Sequence, residues 1–405
     1  MIMMIVTLLR KRSLLLIPSI LGARCALSAV SDGYYKDTVG KNEVSYVVMN
    51  GEAVIRGEKL GDTAVPTSTV GSIDVPLTLG GRPVTGIGRG AFSECGALTS
   101  VSVPQGVSEI DYCAFYKCEG LAEVKLPSSV KRIGHSAFWG CSGLTQVSLC
   151  EGITDIDVDA FAYCKGLTTV TIPSSVTHIG AGAFRDCGGL TSVSVSPGVA
   201  RLGASMFSGC FKLTNVTLPS GVTHIGDEAF SGCKALTGIS FPDVTSIGSG
   251  AFKECKGITH MTLPPGVTNV GVYAFCSCTR LIGVSLPDGV KKVNKGTFAY
   301  CQKLTDVKLP SGLTSIGESA FQRTALQSVI VPMGTVSIGK SAFGDCSLLA
   351  SVTLPSSVAK IGKKAFERCR KLKTIRVSSG DGDRVKKLLS KSGFDVADVS
   401  FEDIK

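Results

Sequence analysis

The apolar positions along this chain repeat with a fixed period. The common repeat contains Ala-Phe, a Cys three residues after the Phe, then Leu, then Val-x-Leu or a close variant, with Met206 and Thr297 replacing the Ala in two repeats. The phenylalanines that mark the thirteen repeats are 23 residues apart except for two steps of 22: Phe92, Phe115, Phe138, Phe161, Phe184, Phe207, Phe230, Phe252, Phe275, Phe298, Phe321, Phe343 and Phe366. A period of this length predicts a solenoid, in which each coil buries its apolar face against its neighbours.

Each repeat divides into a strand, a returning segment and a turn. The stretch from Leu98 to Val103 alternates apolar and polar residues, as a short strand with one inward face does. Pro follows this strand in ten of the thirteen repeats and stops the hydrogen-bond ladder. Ala-Phe is predicted to enter a tight helical or 3₁₀ turn that ends at the Cys. Parallel strands stack about 4.8 Å apart, so thirteen coils predict a sheet roughly 60 Å long, with the phenylalanines in one buried column.

The repeat resembles the leucine-rich repeats of the BspA-type family. The pattern Ile-Gly-x-x-Ala-Phe-x-x-Cys-x-x-Leu-x-x-Val-x-Leu-Pro is nearly whole from Ile225 to Pro242 and spans 88–378, about seven-tenths of the chain. Thr324 replaces the Cys, and Asp111 and Asp157 replace the Gly, which predicts local bulges. The resemblance implies an α/β-type horseshoe of short parallel strands, secreted or displayed at a surface, that acts in adhesion and protein binding and is not an enzyme.

Both ends of the chain depart from the repeat. Residues 1–29 are predicted to be a signal peptide with cleavage near residues 28–29, because Arg10-Lys11-Arg12 is followed by an apolar run too short to span a bilayer. An ordinary N-terminal tail is the alternative. Residues 30–87 are predicted to be a cap that contains a hairpin around Asn50-Gly51. Residues 379–405 predict a second cap, a short helix plus a strand, or else a linker to another domain.

The positive charge of the chain does not indicate nucleic-acid binding. The formal net charge is +10, and four of the basic residues fall within the first 24. No helical basic stripe with interleaved aromatic residues accompanies it. One local basic patch remains near the C-terminus: Lys360, Lys363, Lys364, Arg368, Arg370, Lys371 and Lys373. It is either a solvated terminal coil or a contact for an acidic partner.

Twelve of the sixteen cysteines occupy the same repeat position: Cys95, Cys118, Cys141, Cys164, Cys187, Cys210, Cys233, Cys255, Cys278, Cys301, Cys346 and Cys369. A residue in register on every coil points inward, where a thiol acts as a small apolar group with a weak donor. Free structural thiols are favoured over a cross-linked ladder, because parallel side chains do not meet the disulfide torsion. No paired Cys-x-x-Cys motif or histidine cluster predicts a metal site, and no cofactor is expected.

No catalytic motif is present, so the chemistry of this chain is expected to be recognition. Tyr112, Tyr116, Trp139 and Tyr163 fall near the Ala-Phe turn of successive coils and form the candidate protein-binding site. The alternative is that their rings only cover gaps between coils. The outer face of the strands is largely Ser and Thr, fifteen of twenty-six positions, and lacks aromatic anchors. It is either a broad, weak binding face or a solvated sheet.

Three functions remain open from the sequence. The first is an exported, non-catalytic repeat protein that binds protein ligands on host or neighbouring cells, without a nucleic-acid partner or a membrane span. The second is a structural spacer at the surface, which predicts self-association. The third is an intracellular scaffold, favoured by the free thiols and opposed by the N-terminal segment.

Overall fold

A computed structural model describes residues 33–404 of this chain apart from Leu60 and Pro242. The predicted signal peptide at residues 1–29 therefore lies outside the described residues. The described part forms one compact unit built of stacked coils. Each coil contributes one strand to each of two columns, and the Ala-Phe turn joins the second strand of one repeat to the first strand of the next.

The N-terminal strands continue the stack. They are β1 (Gly33–Val39), β2 (Asn42–Met49), β3 (Glu52–Ile55), β4 (Gly71–Asp74), β5 (Thr78–Leu79) and β6 (Arg82–Ile87). β1, β2 and β3 pair antiparallel in order, and β3 pairs parallel with β6. The turn between β2 and β3 places Asn50 at φ 50° and Gly51 at φ 81°, the left-handed conformation that a two-residue type I′ hairpin requires.

The first strand column carries the alternating Val-x-Val pattern. Its strands are Leu98–Ser102, Glu123–Lys125, Gln146–Val147, Thr169–Ile172, Ser192–Val195, Asn215–Thr217, His260–Thr262, Gly283–Ser285, Asp306–Lys308, Ser328–Ile330, Ser351–Leu354 and Thr374–Val377. β4 pairs with the first of them, and all pairings within the column are parallel. The column is a series of short sheets with three interruptions, and at one of them the coil of Phe230 contributes only an isolated bridge between Thr217 and Ser240.

The second strand column consists of two-residue strands with the second residue buried. They are Glu109–Ile110, Arg132–Ile133, Asp155–Ile156, His178–Ile179, Arg201–Leu202, His224–Ile225, Ser246–Ile247, Asn269–Val270, Lys292–Val293, Ser315–Ile316, Ser337–Ile338 and Lys360–Ile361. β6 pairs with the first strand of this column, which joins the N-terminal strands to the solenoid.

The bulges predicted at Asp111 and Asp157 are absent from the described strands. The pairing of Glu109–Ile110 with Arg132–Ile133, and of the latter with Asp155–Ile156, stays in register. Each carboxylate accepts a hydrogen bond from the next backbone N–H, at 2.6 Å for Asp111 and 2.9 Å for Asp157. The side chain therefore satisfies a local donor without displacing the strand, and the prediction was wrong at both positions.

The Ala-Phe segment is a chain of tight turns, as the repeat predicts. Around Phe138, the amide of Cys141 donates to the Phe138 carbonyl at 3.2 Å, a 3₁₀-type bond. The amide of Phe138 itself donates across to Ala160 of the next coil at 2.7 Å. Ser136 and Gly140, two residues before and after the Phe, have φ values of 54° and 73°. These left-handed residues turn alternate amides toward the next coil and prevent a continuous helix.

The thirteen phenylalanines form a single buried column, as predicted. All thirteen rings have 0% relative exposure. Neighbouring ring centroids are 5.0 to 5.8 Å apart, and the planes deviate from parallel by at most 18°. Stacked aromatic pairs at this distance contribute about 0.5–1.5 kcal/mol beyond the area they bury. The column therefore contributes to cohesion between coils along the whole solenoid.

The ladder cysteines lie beside the phenylalanine column as free thiols. From Cys118 onward, each thiol donates a hydrogen bond to the carbonyl of the Phe in the preceding coil. For example, the Cys141 Sγ lies 3.0 Å from the Phe115 oxygen, and the Cys187 Sγ lies 3.1 Å from the Phe161 oxygen. Burial raises the pKa of Cys187 to about 12. The thiol therefore bonds a carbonyl oxygen that the turn leaves available between coils.

The C-terminal segment packs on the last coil. Helix α1 (Gly382–Lys391) buries Val385 and Leu389, and the strand Ser400–Asp403 pairs parallel with Thr374–Val377. Phe394 lies at 65° to Phe366, with the ring centroids 6.0 Å apart, and so covers the end of the phenylalanine column. An exposed last ring would present apolar surface to water, which repeat proteins avoid with such caps.

Candidate protein-binding surfaces

The Ala-Phe turns place four side-chain positions on one outer edge of the solenoid, which we call the turn edge. These positions lie three and two residues before the Phe and one and two residues after it. The Ala, the Phe and the Cys of the turns are buried, whereas most side chains at the four positions are partly or fully exposed. Residues at the same position in successive coils are neighbours, so a run of aromatic residues at these positions forms a stack.

Three of the four predicted aromatic residues form one stack on the turn edge, which we call the aromatic ridge. The rings of Tyr116 and Trp139 are 4.8 Å apart and 16° from parallel. Trp139 and Tyr163 are 4.9 Å apart and tilted by 51°. All three side chains are half-buried. The ridge is thus a rigid, partly accessible aromatic surface that spans three coils.

Tyr112 stacks on a different partner. Its ring lies 5.2 Å from the ring of His135, at 14° from parallel, in the row three residues before the Phe. It is 38% exposed. Tyr112 therefore lies on the same edge as the ridge but in a separate, parallel row.

Cations from the chain lie over these rings. The Lys117 ammonium is 5.3 Å from the centre of Tyr116 and 6.0 Å from that of Trp139. The Arg185 guanidinium is 5.3 Å from the centre of Tyr163 and also contacts Asp159 at 3.1 Å. Such contacts contribute about 0.5–1 kcal/mol each at exposed sites. They hold the ring positions, and they also occupy part of the aromatic surface that a partner would contact.

The predicted basic patch is exposed, and three of its cations are paired. Lys364 contacts Glu367 at 3.1 Å, Arg368 contacts Asp345 at 3.4 Å, and Lys373 contacts Asp398 at 3.6 Å. Asp345 comes from the preceding coil and Asp398 from the C-terminal segment, so linear counting along the last repeat missed both. The patch therefore has a weaker positive field than its sequence indicates.

The strand face is polar except around Ile330. Ile330 is 72% exposed and Met333 is 67% exposed. Both line a cleft of about 690 Å³ together with Asp306 and Lys308. The cleft lies where the first strand column is interrupted between Asp306–Lys308 and Ser328–Ile330, beside the coil that is one residue short. Exposed apolar side chains of this size are unusual on an otherwise Ser- and Thr-rich sheet.

The histidines do not form a metal centre in the described part of the chain. His178 pairs in register with Asp155, and His224 pairs with Arg201 and Ser246. Across residues 33–404, no group of three His, Cys, Asp or Glu side chains is arranged to hold a metal ion. No helix among the described residues is both long enough and apolar enough to cross a bilayer.

Comparisons with known proteins agree with the repeat architecture. The model of the BspA type leucine rich repeat region, in six copies, matches residues 77–191, 159–282 and 270–387. A leucine-rich repeat protein from Bacteroides ovatus is 29% identical with a TM-score of 0.69, over 93% of this chain and 99% of that one. A leucine rich cell surface protein from Faecalibacterium prausnitzii is 31% identical with a TM-score of 0.55, over 89% and 98%. A search of curated sequences finds no match.

Proposed function

Because this chain belongs to the family of BspA-type leucine-rich repeats, we propose that it is an exported, non-catalytic protein that binds other proteins at a cell surface. The observation that carries the proposal is the likeness, over nearly the full length of both chains, to a leucine rich cell surface protein. The predicted signal peptide at residues 1–29 is consistent with export. Adhesion to proteins on host or neighbouring cells is the specific role that we propose.

The aromatic ridge is the contact surface that we propose for the partner. Trp and Tyr dominate the binding energy of protein interfaces, and rigid rings lose little conformational entropy on binding. Tyr116, Trp139 and Tyr163 are held by stacking at 4.8 and 4.9 Å and remain half-buried. Tyr112 would extend the surface in the neighbouring row. The ridge therefore provides a preorganised patch of three neighbouring aromatic rings on the turn edge.

The double variant Trp139→Ala with Tyr116→Ala tests this surface. A partner is first captured from the native environment on the chain that lacks residues 1–29, and its affinity is then measured by calorimetry. We expect the double variant to bind about 30-fold more weakly, which corresponds to about 2 kcal/mol at a hot spot. Tyr300→Ala, an edge aromatic from a distant coil, is the control. Unchanged affinity with an unchanged melting temperature would remove the ridge as the binding site.

Two other functions have support from particular observations. The fifteen described cysteines are free thiols, which suits a reducing compartment and an intracellular scaffold. The largely Ser and Thr strand face suits a spacer that associates with itself. Finding the mature protein in the cytosol with residues 1–29 intact would favour the scaffold. Concentration-dependent self-association without any saturable protein ligand would favour the spacer.

A further inference from the structure

A groove of about 430 Å³ crosses four coils of the turn edge, well apart from the aromatic ridge. Its apolar surface comes from Ala204, Gly250, Val272 and Tyr273, with Cys276 beneath. The groove lies where two of the four coils carry small pairs at the edge positions three and two residues before the Phe, Ala204-Ser205 and Ser249-Gly250. In the row beside the ridge, the position three residues before the Phe carries Tyr112 and His135 instead. A side chain from a partner could therefore lie in the space that the missing side chains leave.

Tyr273 forms one wall of this groove, and its ring lacks the cation that covers other aromatic rings of the turn edge. Each ring of the aromatic ridge has a chain cation over it, and the Arg323 guanidinium lies 5.2 Å from the centre of Tyr300. No ring or cation from the described residues lies over Tyr273, which is 38% exposed. Lys295, from the next coil, pairs with Glu318 at 3.2 Å and also hydrogen-bonds the Tyr273 hydroxyl, away from the ring face.

The position of the Tyr273 ring is fixed by its neighbour on the other side. A Cβ atom on Gly296 would come within 2.2 Å of the Tyr273 ring carbons Cδ1 and Cε1. Glycine at this position leaves the space that the ring occupies. The ring thus lies against the next coil on one side and borders the groove on the other.

The charges at the rim favour a cation. Asp227 and Glu228 are exposed and line the groove, whereas Lys253 is the single basic residue there. The chain as a whole has a formal net charge of +10, so this acidic rim runs against the overall charge. An arginine or lysine side chain matches both features, because its aliphatic stem packs on apolar surface while its head meets carboxylates and an aromatic ring.

We propose that this groove binds an arginine or lysine side chain of a protein partner, with the cation against Tyr273 and the Glu228 carboxylate. The proposal rests on the proposed function, since it supplies a second contact for a protein ligand. Arginine is the better match, because its planar guanidinium stacks on aromatic rings and pairs with a carboxylate at once. The two contacts, ridge and groove, would bind an extended partner at separate points along the turn edge.

A defined peptide tests the groove without the native partner. A blocked pentapeptide with one central arginine is titrated into the full chain, and the methyl resonances of Val272 are followed by NMR. The same peptide with citrulline, a neutral isostere of arginine, is the matched control ligand. We expect a saturable shift of the Val272 methyl groups with arginine and an affinity at least about fivefold weaker with citrulline. Equal shifts with both peptides, or none with either, would overturn the proposal.

Three substitutions assign the contacts. Tyr273→Leu is expected to weaken arginine binding about two- to fivefold, and Glu228→Gln by a similar factor that shrinks at high salt. Lys253→Met is expected to strengthen binding of the arginine peptide, because the competing cation in the groove is removed. Tyr300→Leu, whose ring is already covered by Arg323, is expected to leave it unchanged. Equal losses for Tyr273→Leu and Tyr300→Leu would contradict the assignment.

The test of the groove and the test of the proposed function can fail independently of each other. If the ridge variants abolish partner binding while the arginine peptide fails to bind, the groove is wrong and the function stands. If the peptide binds but no protein partner is found, the groove stands and the surface-binding function is wrong. Self-association that depends on Tyr273 would identify a second copy as the occupant and would also overturn the proposal.

Discussion

Two aromatic stacks run along this solenoid, one inside the coils and one on their edge. Inside, Phe115 and Phe138 are 5.0 Å apart and completely buried. Outside, Tyr116 and Trp139, the next residues along the chain, are 4.8 Å apart and half-buried. The spacing is the same because coil stacking sets both. The two stacks differ in exposure to solvent, so the inner stack contributes to stability while the outer one remains accessible to the protein partner that we propose.

Alkaline pH should lower the free energy of unfolding more than any of the substitutions below, because it ionises the buried ladder thiols. Burial raises the pKa of Cys187, Cys233 and Cys278 to about 12 each, whereas an unfolded thiol ionises near 9. Above pH 9 the unfolded chain therefore releases protons that the folded chain retains. The free energy of unfolding should fall as pH rises from 9 to 12, by at most about 1.4 kcal/mol per pH unit for each such thiol. The contribution is fully present below pH 9.

Circular dichroism and thiolate absorbance, recorded on the same pH titration, check this prediction. We expect the bulk of the thiolate absorbance to appear together with the loss of strand signal. Thiolates in the ladder at pH 9 to 10, with the dichroism intact, would mean that the thiols are solvated in the folded state.

Removing one inner ring should have the next largest effect. Phe207 lies between Phe184 and Phe230 at 5.8 and 5.6 Å, and truncation to Ala should lower local stability by about 3–5 kcal/mol. Hydrogen exchange of the neighbouring coils is the appropriate measurement, since repeats open locally. Tyr116→Ala on the outer stack should cost about 1 kcal/mol or less. Equal losses of stability for Phe207→Ala and Tyr116→Ala would contradict the different roles of the inner and outer stacks.

Two glycines of the same repeat, Gly226 and Gly238, differ in how closely the neighbouring coil approaches them. A Cβ on Gly226 would lie 2.7 Å from the Gly203 carbonyl carbon and from the Leu202 oxygen, both backbone atoms. Gly226→Ala should therefore destabilise the chain by about 1–3 kcal/mol, as overpacking does. Gly238, with no atom within 4 Å of its Cβ position, is the matched control. Urea denaturation of both variants checks the prediction, and a neutral Gly226→Ala would show that the coils can separate there.

The smallest effect is expected at the outer stack. Arg185→Met removes the cation over Tyr163 and the ion pair with Asp159, and should cost about 0.5–1 kcal/mol. Arg201→Met, at an exposed position of the second strand column, is the control. Thermal melting gives the stability, and the emission of Trp139, the single tryptophan, gives the ring environment. A change in melting without a change in emission would place the role of Arg185 outside the ridge.

The interior could be predicted from the sequence because it depends on period alone. A residue that recurs every 23 residues must occupy the same place in every coil, so the phenylalanine column and the row of ladder cysteines could be predicted from the period. The edge depends on features that a period does not encode. Tyr112 stacks on His135 because both are three residues before their Phe, one row away from Trp139. This row could have been found by aligning the edge positions separately.

The charged side-chain contacts between coils and the groove beside Tyr273 were harder to predict from the sequence than the interior. Arg185 reaches Tyr163 from one coil further on, and Asp345 reaches Arg368 from the preceding coil. Such contacts depend on side-chain direction, which repeat spacing leaves open. The groove had a faint signal in Ala204-Ser205 and Ser249-Gly250, small pairs at edge positions where most other coils carry at least one bulky or charged residue. Small residues in a linear sequence do not indicate which large neighbour, here Tyr273, will border the space.

The same repeat positions face the interior in all thirteen coils, and every other conclusion depends on this. Native thiol labelling with peptide mapping tests it most directly, because a cysteine beside the phenylalanine column reports on nearly every coil. The account predicts that Cys113 and Cys150, which are only half-buried, label rapidly, while the twelve ladder cysteines stay free and protected until the chain unfolds. Ladder cysteines that label as fast as Cys113, or that are linked in disulfides, would contradict it.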